Sequence, residues 1–282
     1  MTIPFVNWAG GKRKIVKTLQ QYYPEKFRKY VEPFLGSGAV LLDILQNYPI
    51  EEAYANDLNK ELVKAHIDIR DNVEKVIDEL RELEILYEAL PPEQWKSFYY
   101  KKRSEFNLMK SKGGVNSALF IFLNKTCFNG MYRVNKAGEF NSAAGLPFKG
   151  TPIFTEDNLR ECSRLFSNVD FSWGDYTQCW DVIDSNTFVF LDPPYRPLSD
   201  TARFTYYTPE GFNDEDQLAL FEFCRRMDKE KGAKFLLTNS ENQDNFLENL
   251  YASYSIHHVE VRRSIGGTKK AINHAKELII TN

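Results

Sequence analysis

The chain has 282 residues, 43% hydrophobic and 14% aromatic, which is enough apolar content for a sizeable core and allows one large domain or a domain carrying an insertion. Its N-terminus shows no charged region ahead of a long apolar stretch, and its longest apolar run, Ala118 to Leu123, is far below the roughly 20 residues of a membrane span, so a soluble cytoplasmic protein with no membrane partner is expected. Cys127, Cys162, Cys179 and Cys224 are widely spaced without a Cys-x-x-Cys pair, which argues against a zinc site or a disulfide framework.

Taken in chain order, Lys29 to Glu32 reads as a short strand running into Pro33-Phe34-Leu35-Gly36-Ser37-Gly38. Ala39 to Leu45 then reads as a helix with Val40, Leu41, Ile44 and Leu45 on one face, and Glu52 to Asp57 as a second strand. This is the start of a βαβ pattern. From Glu61 to about Leu90 the apolar spacing is helical, Pro91-Pro92 interrupts it, and Trp95, Phe98, Tyr99 and Phe106 continue it. Val115 to Cys127 predicts another helix, and Asn135-Lys136-Ala137-Gly138 a hairpin turn. The α/β rhythm resumes at Thr155, read as the N-cap of a helix carrying Leu159, Cys162 and Phe166. Strands are expected at Val169–Trp173, Thr187–Leu191, Ala233–Thr238, Ser255–Val261 and Leu278–Thr281. Asn213, with Asp216 three residues later, predicts the cap of a helix carrying Leu218, Phe221, Phe223 and Met227.

Two stretches carry chemistry. Asp192-Pro193-Pro194-Tyr195 comes directly after the apolar run Thr187 to Leu191. Asp192 offers an acceptor to an exocyclic amine, Pro193 has a fixed φ that can aim its carbonyl into the same space, and Tyr195 can stack on a planar base for about 1–3 kcal/mol. The plainer alternative is a proline-rich turn with an incidental acid and aromatic. The second stretch is the glycine loop: Gly36 and Gly38 allow close backbone approach to a ligand, and Asp57 follows Gly36 by 21 residues at the end of the next strand, where a carboxylate can take ribose hydroxyls. Leu41 stands at the third small position of a dinucleotide fingerprint, and Gly10-Gly11-Lys12 lacks both the earlier glycine and the Ser/Thr of a P-loop, so neither of those sites is expected.

Charge is segregated although the net charge is only −3. Residues 51 to 94 hold thirteen acidic and five basic side chains, whereas 95 to 150 hold ten basic ones against Glu105 and Glu139. Lys12-Arg13-Lys14 with Lys17, and Arg262-Arg263 with Lys269-Lys270, add basic patches. Each can be a solvated face, but together they suit an anionic polymer such as DNA.

The order Phe5-Val6-Asn7-Trp8-Ala9-Gly10-Gly11-Lys12, Glu32 to Gly38, Asn56-Asp57, an insertion, and Asp192 to Tyr195 resembles the Dam-type (D12 class, group α) DNA adenine-N6 methyltransferases. The likeness spans nearly the whole chain, including Leu123-Asn124, Phe128-Asn129-Gly130, Arg133, Gly138 to Asn141, Pro197-Leu198-Ser199, Phe204-Thr205 and Arg262-Arg263-Ser264. It implies a Rossmann-like class I S-adenosylmethionine methyltransferase sheet, formed by residues 1–58 and 155–282. Residues 59–154 would form a mainly helical target-recognition insertion with a hairpin near 128–142.

The resemblance also assigns roles. Trp8, Gly10, Lys12, Glu32, Pro33, Phe34, Gly36, Gly38 and Asp57 would hold S-adenosylmethionine, with Lys12 suited to its carboxylate and Asp57 to its ribose. Asp175 is either a partner of the cofactor's adenine amine or a turn acid capping the next helix. Asp192, Pro193, Pro194 and Tyr195 would receive a flipped adenine, with Asp192 also beside the cofactor. Arg133 would read a guanine, and Phe128 would wedge into the base stack beside Asn129 and Met131, unless Phe128 and Met131 merely pack the hairpin.

Two departures concern the DNA site. Many relatives carry lysine where Asn7 stands, and asparagine suits adenine better than guanine. Their Asn-Val-Pro is here Asn141-Ser142-Ala143. A GATC-like site in double-stranded DNA with an altered outer base is therefore expected, with a restriction endonuclease as a conceivable functional partner and no metal requirement. His257-His258 have no metal-ligand partners in the sequence, and an RNA methyltransferase or a non-catalytic DNA-binding module are the rival classes.

Overall fold

A computed structural model describes residues 2–145, 152–196, 212–241, 244–264 and 272–282, with the backbone alone described at 261–264 and 272–275. The strands are β1 (Lys29–Glu32), β2 (Glu52–Asp57), β3 (Val169–Trp173), β4 (Thr187–Leu191), β5 (Lys234–Ser240), β6 (Ser255–Ser264) and β7 (Ile272–Thr281). The helices are α1 (Val16–Leu19), α2 (Ala39–Asn47), α3 (Lys60–Asp71), α4 (Val73–Glu88), α5 (Pro92–Ser111), α6 (Ser117–Thr126), α7 (Glu156–Phe166), α8 (Asp214–Arg226) and α9 (Phe246–Leu250).

The strands form one sheet in the order β3-β2-β1-β4-β5-β7-β6. β1 is parallel to β2 and to β4, β4 is parallel to β5, and β7 runs antiparallel to both β5 and β6. A parallel sheet closed by one reversed strand, entered from a βαβ start, is the Rossmann-like methyltransferase arrangement that the sequence leads one to expect. By contact density the chain divides into two compact units, one of Met1–Arg13, Gly36–Tyr48 and Asn59–Trp173, the other of Lys14–Leu35, Pro49–Leu58 and Gly174–Asn282.

In the second unit, every residue of β4 is buried, as a parallel strand covered on both faces requires. Val189 and Leu191 point into a core with Val31, Phe235, Leu237, Leu278 and Ile280, closed by Leu220, Phe223, Cys224 and Met227 from α8 and its C-terminal continuation. Phe188, on the opposite face, meets the rings of Tyr23, Phe27 and Tyr30. Asn213 accepts from the backbone of Glu215 and Asp216, and Asp216 accepts in return from Asn213 N, so α8 starts with the reciprocal cap its sequence indicates. Leu218, expected on its apolar face, is instead 48% exposed; Leu220 and Cys224 fill that face.

In the first unit, α6 packs against α3, α4 and α5. Ala118 through Leu123 are all buried, so this helix is apolar all round because it is a core element rather than a surface one. Asn59 and Asn116 cap α3 and α6 by accepting from Leu62 N and Leu119 N, and Pro92 opens α5, where a missing N–H costs nothing. The helical spacing from Glu61 to Leu90 is split at Asn72, whose backbone (φ −139°, ψ 34°) leaves the helical region. Thr155 occupies the N-cap position of α7 but makes no side-chain cap. β5 and β6 run beyond their expected ends, to Ser240 and Ser264, and β7 begins at Ile272 rather than Leu278, because β7 pairs antiparallel with β5 through Ser240 and with β6 through Ser264.

Candidate active site and nucleic-acid interface

Strand order reverses between β1 and β4, and in open α/β sheets ligands bind beyond the carboxyl ends of strands at such a point. Both motif-bearing segments leave the sheet there, since Tyr30 pairs with Phe188 and Val31 with Val189. Glu32 is buried and accepts from the Tyr30 hydroxyl at 2.7 Å. Asn56, fully buried at the end of β2, donates to the carbonyls of Pro33 (3.3 Å) and Gly174 (2.9 Å), and its own carbonyl accepts from Leu35 N. Asp57 O accepts from Gly174 N at 3.1 Å, so the ends of β1 and β2 and the turn at Gly174 are held together through backbone groups. Phe34 stacks on Tyr176 with ring centroids 5.4 Å apart. Asp175 is exposed and accepts from Thr177 N and Oγ1 at 2.9 and 2.5 Å, which is the capping geometry of a turn acid.

The tetrapeptide is gripped from several directions. Asp192 Oδ1 accepts from Thr238 Oγ1 at 2.7 Å, and the Tyr195 hydroxyl donates to Glu277 Oε2 at 2.9 Å. Pro194 O accepts from Gln217 Nε2 at 3.3 Å, and Gln217 Oε1 accepts from Asn239 Nδ2 at 3.2 Å. Arg196, the next residue, forms a fork with Asp214 (2.6 and 2.9 Å), reaches Asp244 at 2.6 Å and lies over the Phe246 ring. Burial, with the Asp192 and Glu277 carboxylates nearby, pushes the Tyr195 phenol well above its ordinary pKa. It stays protonated and therefore acts as a donor.

In the first unit, Gly11 N bonds Trp8 O at 3.1 Å, making a tight turn through Gly10 at φ 77°. Lys12 is buried, with its Nζ donating to Gly10 O at 2.8 Å. Gly36 has φ 51°, and a Cβ there would come within 3.0 Å of Trp8 Cδ1, so both conformation and space call for glycine. Gly38, at φ 69°, precedes α2.

The same unit carries the hairpin. Val134 pairs with Phe140 and Cys127 with Ala144 as single bridges rather than as continuous strands, and Asn135 N bonds Glu139 O to close the turn. Tyr132 and Phe140 provide its packing, against Phe120 and Phe106. Phe128 is 56% exposed, so packing does not explain it; Met131 is half-buried, and Asn7, Asn129 and Arg133 are exposed. Trp8 stacks on Tyr132 at 5.5 Å, and the Tyr132 hydroxyl donates to Glu61, whose other oxygen meets Lys110 Nζ at 2.7 Å. Asn124, fully buried, binds both backbone groups of Asn7 and donates to Gly130 O at 3.4 Å. The first motif and the hairpin are thus one hydrogen-bonded assembly.

A profile of the D12 class N6 adenine-specific DNA methyltransferases matches residues 8–265. The chain belongs to this family. As a D12 class enzyme it transfers a methyl group to N6 of adenine in DNA. It is 41% identical to the type II methyltransferase M.MjaIII of Methanocaldococcus jannaschii over 99% of this chain and 98% of that one. It is 31% identical to the DNA adenine methylase of Haemophilus influenzae (98% and 92% covered) and 32% identical to that of Escherichia coli K12 (95% and 92%).

Several residues around this candidate site have no signature in the sequence. Thr238, Glu277, Gln217 and Asn239 all touch the tetrapeptide or its support, and the nearest hint is the polar run Thr238-Asn239-Ser240 ending an apolar strand. His258, without metal-ligand partners in sequence, lies with Glu241 and Glu248 so that their ligand atoms fall within 4.8 Å of one another. Lys276 Nζ sits 3.7 Å from Glu241, so this carboxylate already has a cation beside it. His257 packs on Tyr22. Ser199, Thr201, Phe204-Thr205, Pro197-Leu198 and Lys269-Lys270 lie outside the described residues, as do the side chains of Arg262-Arg263-Ser264.

Proposed function

We propose that this D12 methyltransferase uses S-adenosylmethionine to methylate a flipped adenine in double-stranded DNA at a GATC-like site whose outer base pair differs from GATC. The observation that carries the chemistry is Asp192-Pro193-Pro194-Tyr195 at the end of β4, where strand order reverses. The residues suit the cofactor by type: Lys12 for its carboxylate, Asp57 for ribose hydroxyls, Glu32 through Gly38 for the methionine part and Asp175 for the adenine amine, and Trp8 and Gly10 are assigned to the cofactor as well. When bound, S-adenosylmethionine supplies an electrophilic methyl group on a sulfonium.

The chain's own part is to position the nucleophile. Adenine N6 is poorly nucleophilic because its lone pair is delocalised into the ring. Acceptors at Asp192 and the Pro193 carbonyl favour a pyramidal nitrogen and orient its lone pair, an effect of placement and fixed dipoles. Flipping the base costs a few kcal/mol, and stacking on Tyr195 offsets part of that. Asp192 accepts a hydrogen bond from N6 before transfer, and the proton that the methylated, cationic N6 sheds afterwards passes to solvent water.

Residues 59–154 are assigned to target recognition. Arg133 reads a guanine, Phe128 enters the base stack beside Asn129 and Met131, and Asn7 contacts the outer pair. The type II names of two relatives favour pairing with a restriction endonuclease over a solitary regulatory role, and the enzyme would act in the cytoplasm, where chromosomal DNA is accessible. Sequencing modified bases in a methylation-free bacterial host expressing this chain tests the reading. Methyladenine within AT-centred sites with a changed outer pair is expected; modification of GATC alone would overturn the altered specificity.

A further inference from the structure

Glu277 lies in β7 next to Leu278, Ile279 and Ile280, all without exposure, and is itself only 5% exposed. A carboxylate in that position is costly unless donors are aimed at it. The Tyr195 hydroxyl, 82 residues away in sequence, donates to it at 2.9 Å. Thr238, fully buried in neighbouring β5, is the second polar residue of this kind. Its hydroxyl has one proton and two acceptors in reach, Asp192 Oδ1 at 2.7 Å and Leu191 O at 3.5 Å, and the shorter contact takes the proton.

In register Thr238 faces Ile279 and Ser240 faces Glu277, so the two polar side chains come from adjacent, rigidly paired strands. A methyl-transfer site needs an acceptor and an aromatic ring held at fixed orientation, and side chains on strands hold geometry better than loops do. The tetrapeptide is itself outside the regular sheet.

We propose that Thr238 and Glu277 are positioning residues for methyl transfer: Thr238 sets the orientation of the Asp192 carboxylate, and Glu277 sets that of the Tyr195 ring through its hydroxyl. This rests on the assignment of Asp192 and Tyr195 to the reacting adenine. Neither residue touches substrate, and both act through the tetrapeptide.

The test is single-turnover methylation of unmethylated bacterial chromosomal DNA with labelled S-adenosylmethionine, together with cofactor binding and thermal unfolding. Thr238→Val removes the hydroxyl and keeps the shape. It is expected to slow the methyl-transfer step by about 10- to 100-fold with dissociation constants for DNA and cofactor little changed. Thr238→Ser, which restores a donor, is expected to recover most of the rate. A wild-type rate in Thr238→Val, or an equally slow Thr238→Ser at unchanged unfolding temperature, overturns the role of Thr238.

For Glu277, the Glu277→Leu and Tyr195→Phe pair is measured as a double-mutant cycle. The proposal expects the double variant to be no slower than Tyr195→Phe alone, and additive losses overturn it. The cycle also decides the claim for Glu277 should Thr238→Val not fold. Asp192→Ala, measured alongside, separates the two levels: if it transfers methyl normally the underlying assignment is wrong, whereas an inactive Asp192→Ala with a normal Thr238→Val sinks only the positioning proposal.

Discussion

The side-chain amide of Asn124 holds the backbone of Asn7 from both sides, accepting from Asn7 N at 2.8 Å and donating to Asn7 O at 2.9 Å. It also donates to Gly130 O, so the residue expected to meet the outer base pair and the loop before Arg133 share one buried anchor. Gly130 seals the arrangement: at φ 63°, a Cβ there would lie 2.5 Å from Asn7 Nδ2.

Asn124→Ala deletes two short hydrogen bonds in a fully buried place and should cost roughly 2 kcal/mol of unfolding free energy, read from urea denaturation. Asn124→Asp should cost more, because it keeps the acceptor to Asn7 N but buries a charge and turns a donor against two carbonyls. Equal stability of Asn124→Asp and the parent would contradict this anchoring.

Base preference should track the residues carried by that anchor. Asn7→Lys places a charged donor at the position expected to meet the outer pair, and the methylated motif of the variant should move toward guanine there, visible by modified-base sequencing. Arg133→Ala should weaken discrimination at its own guanine by about 1–3 kcal/mol, seen as methylation of sites differing at that pair. An unchanged motif in both variants would remove Asn7 and Arg133 from recognition.

His66 makes acid stability a sharp readout of the first unit. It is fully buried among Phe5, Phe166 and Phe171, its Nδ1–H meets Leu62 O at 3.0 Å, and burial lowers its pKa from 6.5 to about 4. The unfolded chain binds the proton more readily, so this contribution is complete above pH 6.5 and is lost as pH falls through the folded value near 4. It amounts to roughly 3 kcal/mol at most. His66→Phe should flatten the pH dependence of unfolding across this window, measured by urea titrations from about pH 4 to about pH 7.

The legible part of the candidate site is the part whose proposed chemistry is written in contiguous residues. Asp192 to Tyr195, Gly36, Gly38 and Asp57 could be read because a strand end and a glycine loop keep their functional atoms together in the chain. Thr238 and Glu277 could not, since their partners lie 46 and 82 residues away and nothing local marks a threonine or glutamate in a strand as polar support. The break at Asn72 was hidden because apolar spacing continues almost in phase from α3 into α4, and the cap at Asn213 was plain because both members of the pair are local. Tyr132 was unremarkable among hairpin residues; only the fold sets its ring on Trp8.

The most direct test of the central claim is methyl transfer to unmethylated duplex DNA by Asp192→Ala, with unfolding temperature and cofactor binding measured on the same preparation. A folded variant whose transfer rate falls by about 100-fold or more is the predicted result, because the amine loses its principal acceptor. Transfer at the wild-type rate by a folded Asp192→Ala would contradict the account.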